Sequence, residues 1–178
     1  MARFARPRAP ADTERSTDLD AAREAALRLL GRTRRTRSDL EKRLRDRGYA
    51  RATLEQALDR LAGVGLVDDL EYACAFLRGR GARRPAGRRR LEQELRARGV
   101  GADDIARAFE RVGGEGTALD EVEGARHVLA LAERRYRALD PQVRRQRLYA
   151  LLARRGFGRD VIRAALGAAA RSEEADEG

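Results

Sequence analysis

A single cysteine, a single histidine, one methionine and no tryptophan leave this 178-residue chain little of the equipment that catalysis and metal binding draw on. Cys74, standing alone, excludes an intramolecular disulfide framework and a cysteine-based metal site, and it fits a reducing compartment. It falls beside Ala73 and Leu77 on the apolar side of an expected helix, where a buried, unreactive thiol is the default. His127 sits among Ala125, Val128 and Leu129 with no nucleophile close in sequence, and reads as a structural or surface histidine. Aromatic residues are 4% of the chain against 42% hydrophobic residues, so the core must be built from Ala, Leu, Val and Ile. That suits close-packed helices and not an extensive sheet. No apolar run reaches membrane-spanning length, and Arg3, Arg6 and Arg8 are followed by no apolar stretch of the kind a leader needs. The expectation is a cytoplasmic, soluble monomer without membrane contact.

Catalytic motifs are also missing. Gly113-Gly114-Glu115-Gly116 joins two expected helices and lacks the Lys-Ser or Lys-Thr of a phosphate-cradling loop. Asp68 and Asp69 are adjacent, do not share a helix face, and stand where acidic side chains cap a helix start. The sequence therefore points to no catalytic residue, no metal and no cofactor. An enzyme would need titratable groups converging in a pocket from distant helices.

What the chain does have is a repeat. Leu40, Leu44, Gly48, Tyr49, Leu54, Leu58 and Leu61 recur at the same internal spacing as Leu91, Leu95, Gly99, Val100, Ile105, Phe109 and Val112. They recur again as Leu148, Leu152, Gly156, Phe157, Ile162, Leu166 and Ala169. The offsets, 51 and then 57 positions, describe near-equal modules with linkers of slightly different length. The apolar positions follow helical periodicity and the glycines are placed to end helices. The fold expected is all-α: three tandem three-helix units over 21–66, 67–113 and 117–171, forming an elongated curved array. Flexible termini are expected over 1–20, where Pro7, Pro10 and mixed charge leave few apolar groups, and over the acidic stretch 172–178. Within the units, Thr36 with Asp39 resembles a capping arrangement, and Asp140-Pro141 reads as a helix entry.

The charge is large and uneven. A net charge of +10 with a sequence pI near 11.0 implies anionic partners. Lys42 is the only lysine. Residues 21–98 hold 21 basic against 11 acidic side chains, residues 99–140 hold 6 against 9, and residues 141–171 hold 8 against 1. Arg32, Arg34, Arg35 and Arg37 form one cluster at the junction of the first two helices of the first unit. Arg78, Arg80, Arg83, Arg84, Arg88, Arg89 and Arg90 form a second at the equivalent junction, and Arg144, Arg145 and Arg147 belong to the basic third unit. These are the candidate partner- and DNA-binding residues, suited to sequence-independent, salt-sensitive phosphate contact. Aromatic residues do not interleave with them, so base stacking of the single-strand-binding type is not indicated.

In the second unit, Gly65-Leu66-Val67-Asp68-Asp69, Tyr72-Ala73, Gly87, Arg90-Leu91, Glu94-Leu95 and Arg98-Gly99-Val100 together form a pattern that resembles the RecX family of recombination regulators. The first unit agrees, with Arg35-Thr36 and Asp39-Leu40 where that family usually shows Arg-Ser and Glu-Leu. The resemblance covers about Ala21 to Ala170 and makes Gly65, Leu66, Asp68, Asp69, Tyr72, Gly87, Leu91, Glu94, Leu95 and Gly99 motif residues of mainly structural role. It implies a regulator that binds the RecA recombinase filament on single-stranded DNA. By the same resemblance, such a protein inhibits ATP hydrolysis, strand exchange and RecA-dependent cleavage of the SOS repressor without catalysing a reaction. The alternative is a general nucleic-acid-binding repeat protein using its Arg clusters. Against groove insertion, the third helices carry Glu55, Asp59, Asp103, Asp104 and Glu110, which phosphate would repel.

Overall fold

The computed structural model describes residues 17–83, 85–115 and 120–176, with side chains for 17–80, 85–115 and 120–168. Among the described residues there are helices and turns and no strand. The helices are α1 (Leu19–Leu30), α2 (Arg37–Arg45), α3 (Arg51–Gly63), α4 (Asp69–Arg83), α5 (Arg88–Arg96), α6 (Ala102–Gly113), α7 (Glu121–Tyr136), α8 (Pro141–Arg154) and α9 (Arg159–Asp176). They form three successive sets of three, each with its own core.

The repeat residues build those cores. Leu40, Leu44, Leu54, Leu58 and Leu61 are buried with Ala25, Ala26, Leu29 and Val67 in the first set. Leu91, Leu95, Val100, Ile105, Phe109 and Val112 are buried with Ala73, Cys74 and Leu77 in the second. In the third, Leu152, Phe157 and Ile162 join Ala125, Val128, Leu129 and Ala165, while Leu148 and Leu166 are only half-buried. The glycine after each second helix is a true left-handed stop: φ is +94° at Gly48, +82° at Gly99 and +85° at Gly156. By compactness the chain divides after Asp69, and the later unit, from Leu70, contains the second and third sets.

Local capping follows the sequence closely. Thr36 Oγ1 accepts the Asp39 amide at 3.1 Å, and Asp140 accepts the amides of Gln142 and Val143 with Pro141 in the first turn of α8. Asp69 does something the sequence did not reveal. Its carboxylate accepts the Arg37 amide at 2.8 Å, so it caps α2, a helix 32 residues earlier. Glu121, the first residue of α7, repeats the device by accepting the Arg88 amide of α5 at 2.7 Å. Gly87 at the start of α5 has no side chain with which to cap it.

Two expected boundaries shift. α1 begins at Leu19, because Asp18 accepts the Ala21 amide at 2.9 Å and gives the helix its start inside the stretch expected to be flexible. Residues 1–16 of that stretch lie outside the described residues. At the other end, α9 runs to Asp176, so most of the acidic stretch expected to be disordered from Ser172 is helical. Once a helix is nucleated, good helix formers such as Ala168, Ala169, Ala170, Glu173, Glu174 and Ala175 extend it one hydrogen bond at a time, whatever their polarity. Residues 177 and 178 lie outside the described residues.

Candidate functional site

Arginine density is the signal for partner binding that composition gives, and the structure separates arginines held within the fold from arginines left to solvent. In the first cluster, Arg35 reaches Asp39 at 2.7 Å and the Leu29 carbonyl at 3.3 Å, and Arg37 reaches Asp59 at 2.6 Å. Arg43 closes on the same Asp39 carboxylate. Burial opposes ionisation of Asp39, but the hydrogen bonds from Arg43 and Arg35 outweigh it and hold the carboxyl below its ordinary value. Arg32 and Arg34 are exposed, and neither has an ion pair among the described residues.

The second cluster is spent more heavily on the fold. Arg78 grips Glu115 with two bonds of 2.9 and 2.6 Å, tying α4 to the segment after α6, and Arg111 pairs with Glu71 at 2.5 Å on the same two helices. The Arg78 hydrogen bonds hold Glu115 below the usual carboxylate range and push the guanidinium further up. Glu94 gathers three guanidinium groups: Arg80 at 2.6 and 2.8 Å, Arg90 at 3.2 Å and Arg98 at 3.9 Å. Burial works against its ionisation, and these cations, Arg80 foremost, override it. Arg88 pairs with Glu92 at 2.9 Å and lies 4.5 Å over the Phe109 ring; Arg98 lies 4.7 Å over Phe76. Of the described members only Arg89 is left, exposed and without an ion pair. Arg84 and the side chain of Arg83 lie outside the described residues.

The third group behaves differently. Helix α8, Pro141–Arg154, contains no acidic residue. Arg145 and Arg147 are exposed with no ion pair among the described residues, while Arg144 is half-buried and is not free. Just beyond them Arg154, Arg155 and Arg159 are likewise exposed and unpaired. Sequence density did not single these out, although the signal existed: none has an acid four residues before or after it, so helical pairing was never available.

The motif residues divide between the core and the surface. Leu91 and Leu95 are core, Tyr72 is half-buried against the same core, and Gly65 and Gly99 have φ of +72° and +82°. Asp69 is the long-range cap, and Asp68 beside it is exposed but not without a partner. Leu66 departs from a structural role: it is 52% exposed, next to Val64 at 69%. Gly87 is buried where backbones meet, since a Cβ there would lie 2.2 Å from the Phe157 nitrogen. Its own N–H donates to the Arg155 carbonyl at 3.0 Å. Cys74 is fully buried, which pushes its thiol above the ordinary value, and His127 is exposed on α7. Among the described residues no cluster of His, Cys, Asp or Glu could hold a metal, and no helix is long and apolar enough to cross a membrane.

What this arrangement offers chemically, in each unit by itself, is exposed guanidinium groups without ion pairs among the described residues, carried on helices and their junctions. Three family models match in order along the chain: the first three-helix domain of RecX over residues 22–61, the second over 68–108 and the third over 120–166. A protein of Halorhodospira halophila called regulatory protein RecX is 38% identical over 157 residues, 87% of this chain and 92% of that protein. One of the same name from Mycobacterium ulcerans is 37% identical over 153 residues, 85% of this chain and 86% of the relative. A crystal structure of regulatory protein RecX superposes with a TM-score of 0.75 at 28% identity, covering 84% of this chain and 73% of that one. That of RecX from Lactobacillus salivarius, at 20% identity, shares the fold with a TM-score of 0.76 over 84% of this chain and 94% of the other. Across all three of its helical domains, the chain belongs to the RecX family of regulatory proteins.

Proposed function

We propose that this protein binds the RecA recombinase filament on single-stranded DNA and inhibits its ATP hydrolysis, strand exchange and coprotease activity, without catalysing a reaction and without a cofactor. The observation that carries the reading is membership of the RecX family through all three domains. The physical support is the set of unpaired arginines, Arg32, Arg34, Arg89, Arg145 and Arg147, which suit an acidic filament surface or exposed phosphates. Arg35, Arg37, Arg78, Arg80, Arg88 and Arg90, each already bonded to a carboxylate, serve the partner less directly. The setting is the cytoplasm, where the filament assembles, and the active form is a monomer.

The test is single-stranded-DNA-dependent ATP hydrolysis by the RecA of the same organism, with this protein added before and after filament assembly. Inhibition far below one copy per recombinase indicates action at filament ends, and inhibition only near equal amounts indicates binding along the filament. No inhibition at any ratio removes the reading and leaves the general nucleic-acid binder. For that alternative, exposed Glu55, Asp59, Asp103 and Glu110 on α3 and α6 weigh against insertion of a third helix into a groove.

A further inference from the structure

The second and third helical sets meet backbone to backbone. Gly87 donates its N–H to the Arg155 carbonyl at 3.0 Å, and a Cβ at Gly156 would lie 2.6 Å from both the nitrogen and the Cβ of Arg90. Gly124 of α7 comes against Pro85, and Glu121 holds the Arg88 amide at 2.7 Å. The start of α5 is thereby pressed onto the turn between α8 and α9, and arginines 65 to 70 positions apart in sequence come to flank one backbone contact. On one side stands Arg89; on the other stand Arg154, Arg155 and Arg159; all four are exposed and none has an ion pair among the described residues.

Local sequence explains why these four stay free. Arg88 and Arg90 find Glu92 and Glu94 one turn on, but Arg89 finds Gln93. Arg155 occupies the repeat position of Arg98, which bonds the Glu94 carbonyl and lies near its carboxylate; the residue four before Arg155 is Leu151. The acids that do surround the seam are occupied: Glu121 by the Arg88 amide, Glu92 by Arg88 and Arg96, Glu94 by Arg80 and Arg90, and Asp160 by Arg163. Like charges flank one close backbone contact with no ion pair among the described residues to neutralise them, an arrangement that favours a polyanion.

We propose that this seam is a phosphodiester-binding surface for single-stranded nucleic acid, with Arg89 and Arg155 as its centre and Arg154 and Arg159 extending it. The proposal deepens the regulatory reading and rests on it for the source of the strand. A protein partner fits less well, because protein interfaces are centred on buried apolar anchors. The seam residues between these arginines are glycines and the buried Phe157, with no exposed large apolar side chain.

The experiment measures binding of a fluorescent oligo-dT by the full chain alone, by anisotropy over a range of salt, for the wild type, the double variant R89Q/R155Q and the control R96Q, with helicity checked by circular dichroism. Each phosphate contact to a single strand contributes about 0.7 to the slope of log affinity against log salt. The double variant is expected to lose about 1.4 of slope and to bind about tenfold more weakly at low salt, with R96Q unchanged. An unchanged slope, or a wild type that shows no salt-dependent binding, overturns the proposal. So does a double variant that keeps oligo-dT binding and loses only association with the recombinase filament, which would assign the seam to an acidic protein surface. Recombinase ATP hydrolysis measured alongside separates the two readings: seam binding without inhibition upholds the surface and sinks the regulator.

Discussion

Helices α5 and α8 occupy the same place in successive repeats, each carries four arginines, and they use them in opposite ways. In α5, RRRLEQELR, two glutamates each sit one turn from arginines on both sides, so the helix is laced by Arg88–Glu92–Arg96 and Arg90–Glu94–Arg98. In α8 the positions equivalent to Glu92 and Glu94 are Tyr149 and Leu151, and the acid-free helix leaves Arg145, Arg147 and Arg154 to solvent. The lesson is that basic density and basic availability are different properties. Most described arginines of the longest run are paired with carboxylates, whereas Arg145, Arg147 and Arg154 of the sparser one are exposed with no ion pair among the described residues.

The strongest way to break the comparison is to remove the contact that joins the two regions. Gly156→Ala forces a side chain into a left-handed backbone and into the Arg90 backbone 2.6 Å away, whereas Gly65→Ala meets the same kind of φ, +72°, with nothing within 4 Å. Thermal or urea unfolding should show about 3 kcal/mol lost for the first and about 1 kcal/mol for the second. Equal losses would mean the seam contributes no packing of its own.

Next in size is the functional contrast. R145Q/R147Q should weaken recombinase inhibition about tenfold, and R88Q/R96Q about twofold or less, in the ATP hydrolysis titration, since only the first pair holds charge that carboxylates have not already taken up. If the α5 pair has the larger effect, paired arginines are being released on binding and the distinction fails.

A gentler change converts α8 toward α5. Tyr149→Glu restores the acid of the equivalent α5 position one turn after Arg145 and should weaken oligo-dT binding about threefold with helicity kept, as an i,i+4 pair forms. The reverse change, Glu92→Gln in α5, should strengthen it by a similar factor. Binding that ignores both would show that neither helix faces the strand.

The smallest effect concerns acid. The arginines around Glu94 hold its carboxyl below the ordinary value, so folding favours the ionised form. That contribution is complete above the unfolded value of about 4.3 and disappears as the pH falls through the lower folded value. Glu94→Gln should therefore cost about 1 kcal/mol at pH 7 and progressively less below pH 4, read from urea midpoints at each pH. A penalty that persists unchanged at pH 3 would assign Glu94 a packing role instead of an electrostatic one.

Helix periodicity, the three glycine stops and the Leu, Ile and Val positions of each core were legible in the residues because they depend on neighbours three or four places away. So were the Thr36 and Asp140 caps and the i,i+4 pairs of α5. The acidic character of 172–178 misled, because solubility and helicity are separate properties and an Ala-rich helix carries polar residues along with it.

By itself the sequence determined an all-helical chain of three repeats and its family, through local spacing that needs no knowledge of distant residues. Only the tertiary structure decided that Asp69 and Glu121 cap helices more than thirty residues earlier, that Arg78 is bound to Glu115, and that the Gly87 amide meets the Arg155 carbonyl. The reason is physical: a hydrogen bond, an ion pair or a steric contact acts over a few ångströms of space, and separation along the chain sets no such distance until the cores have formed.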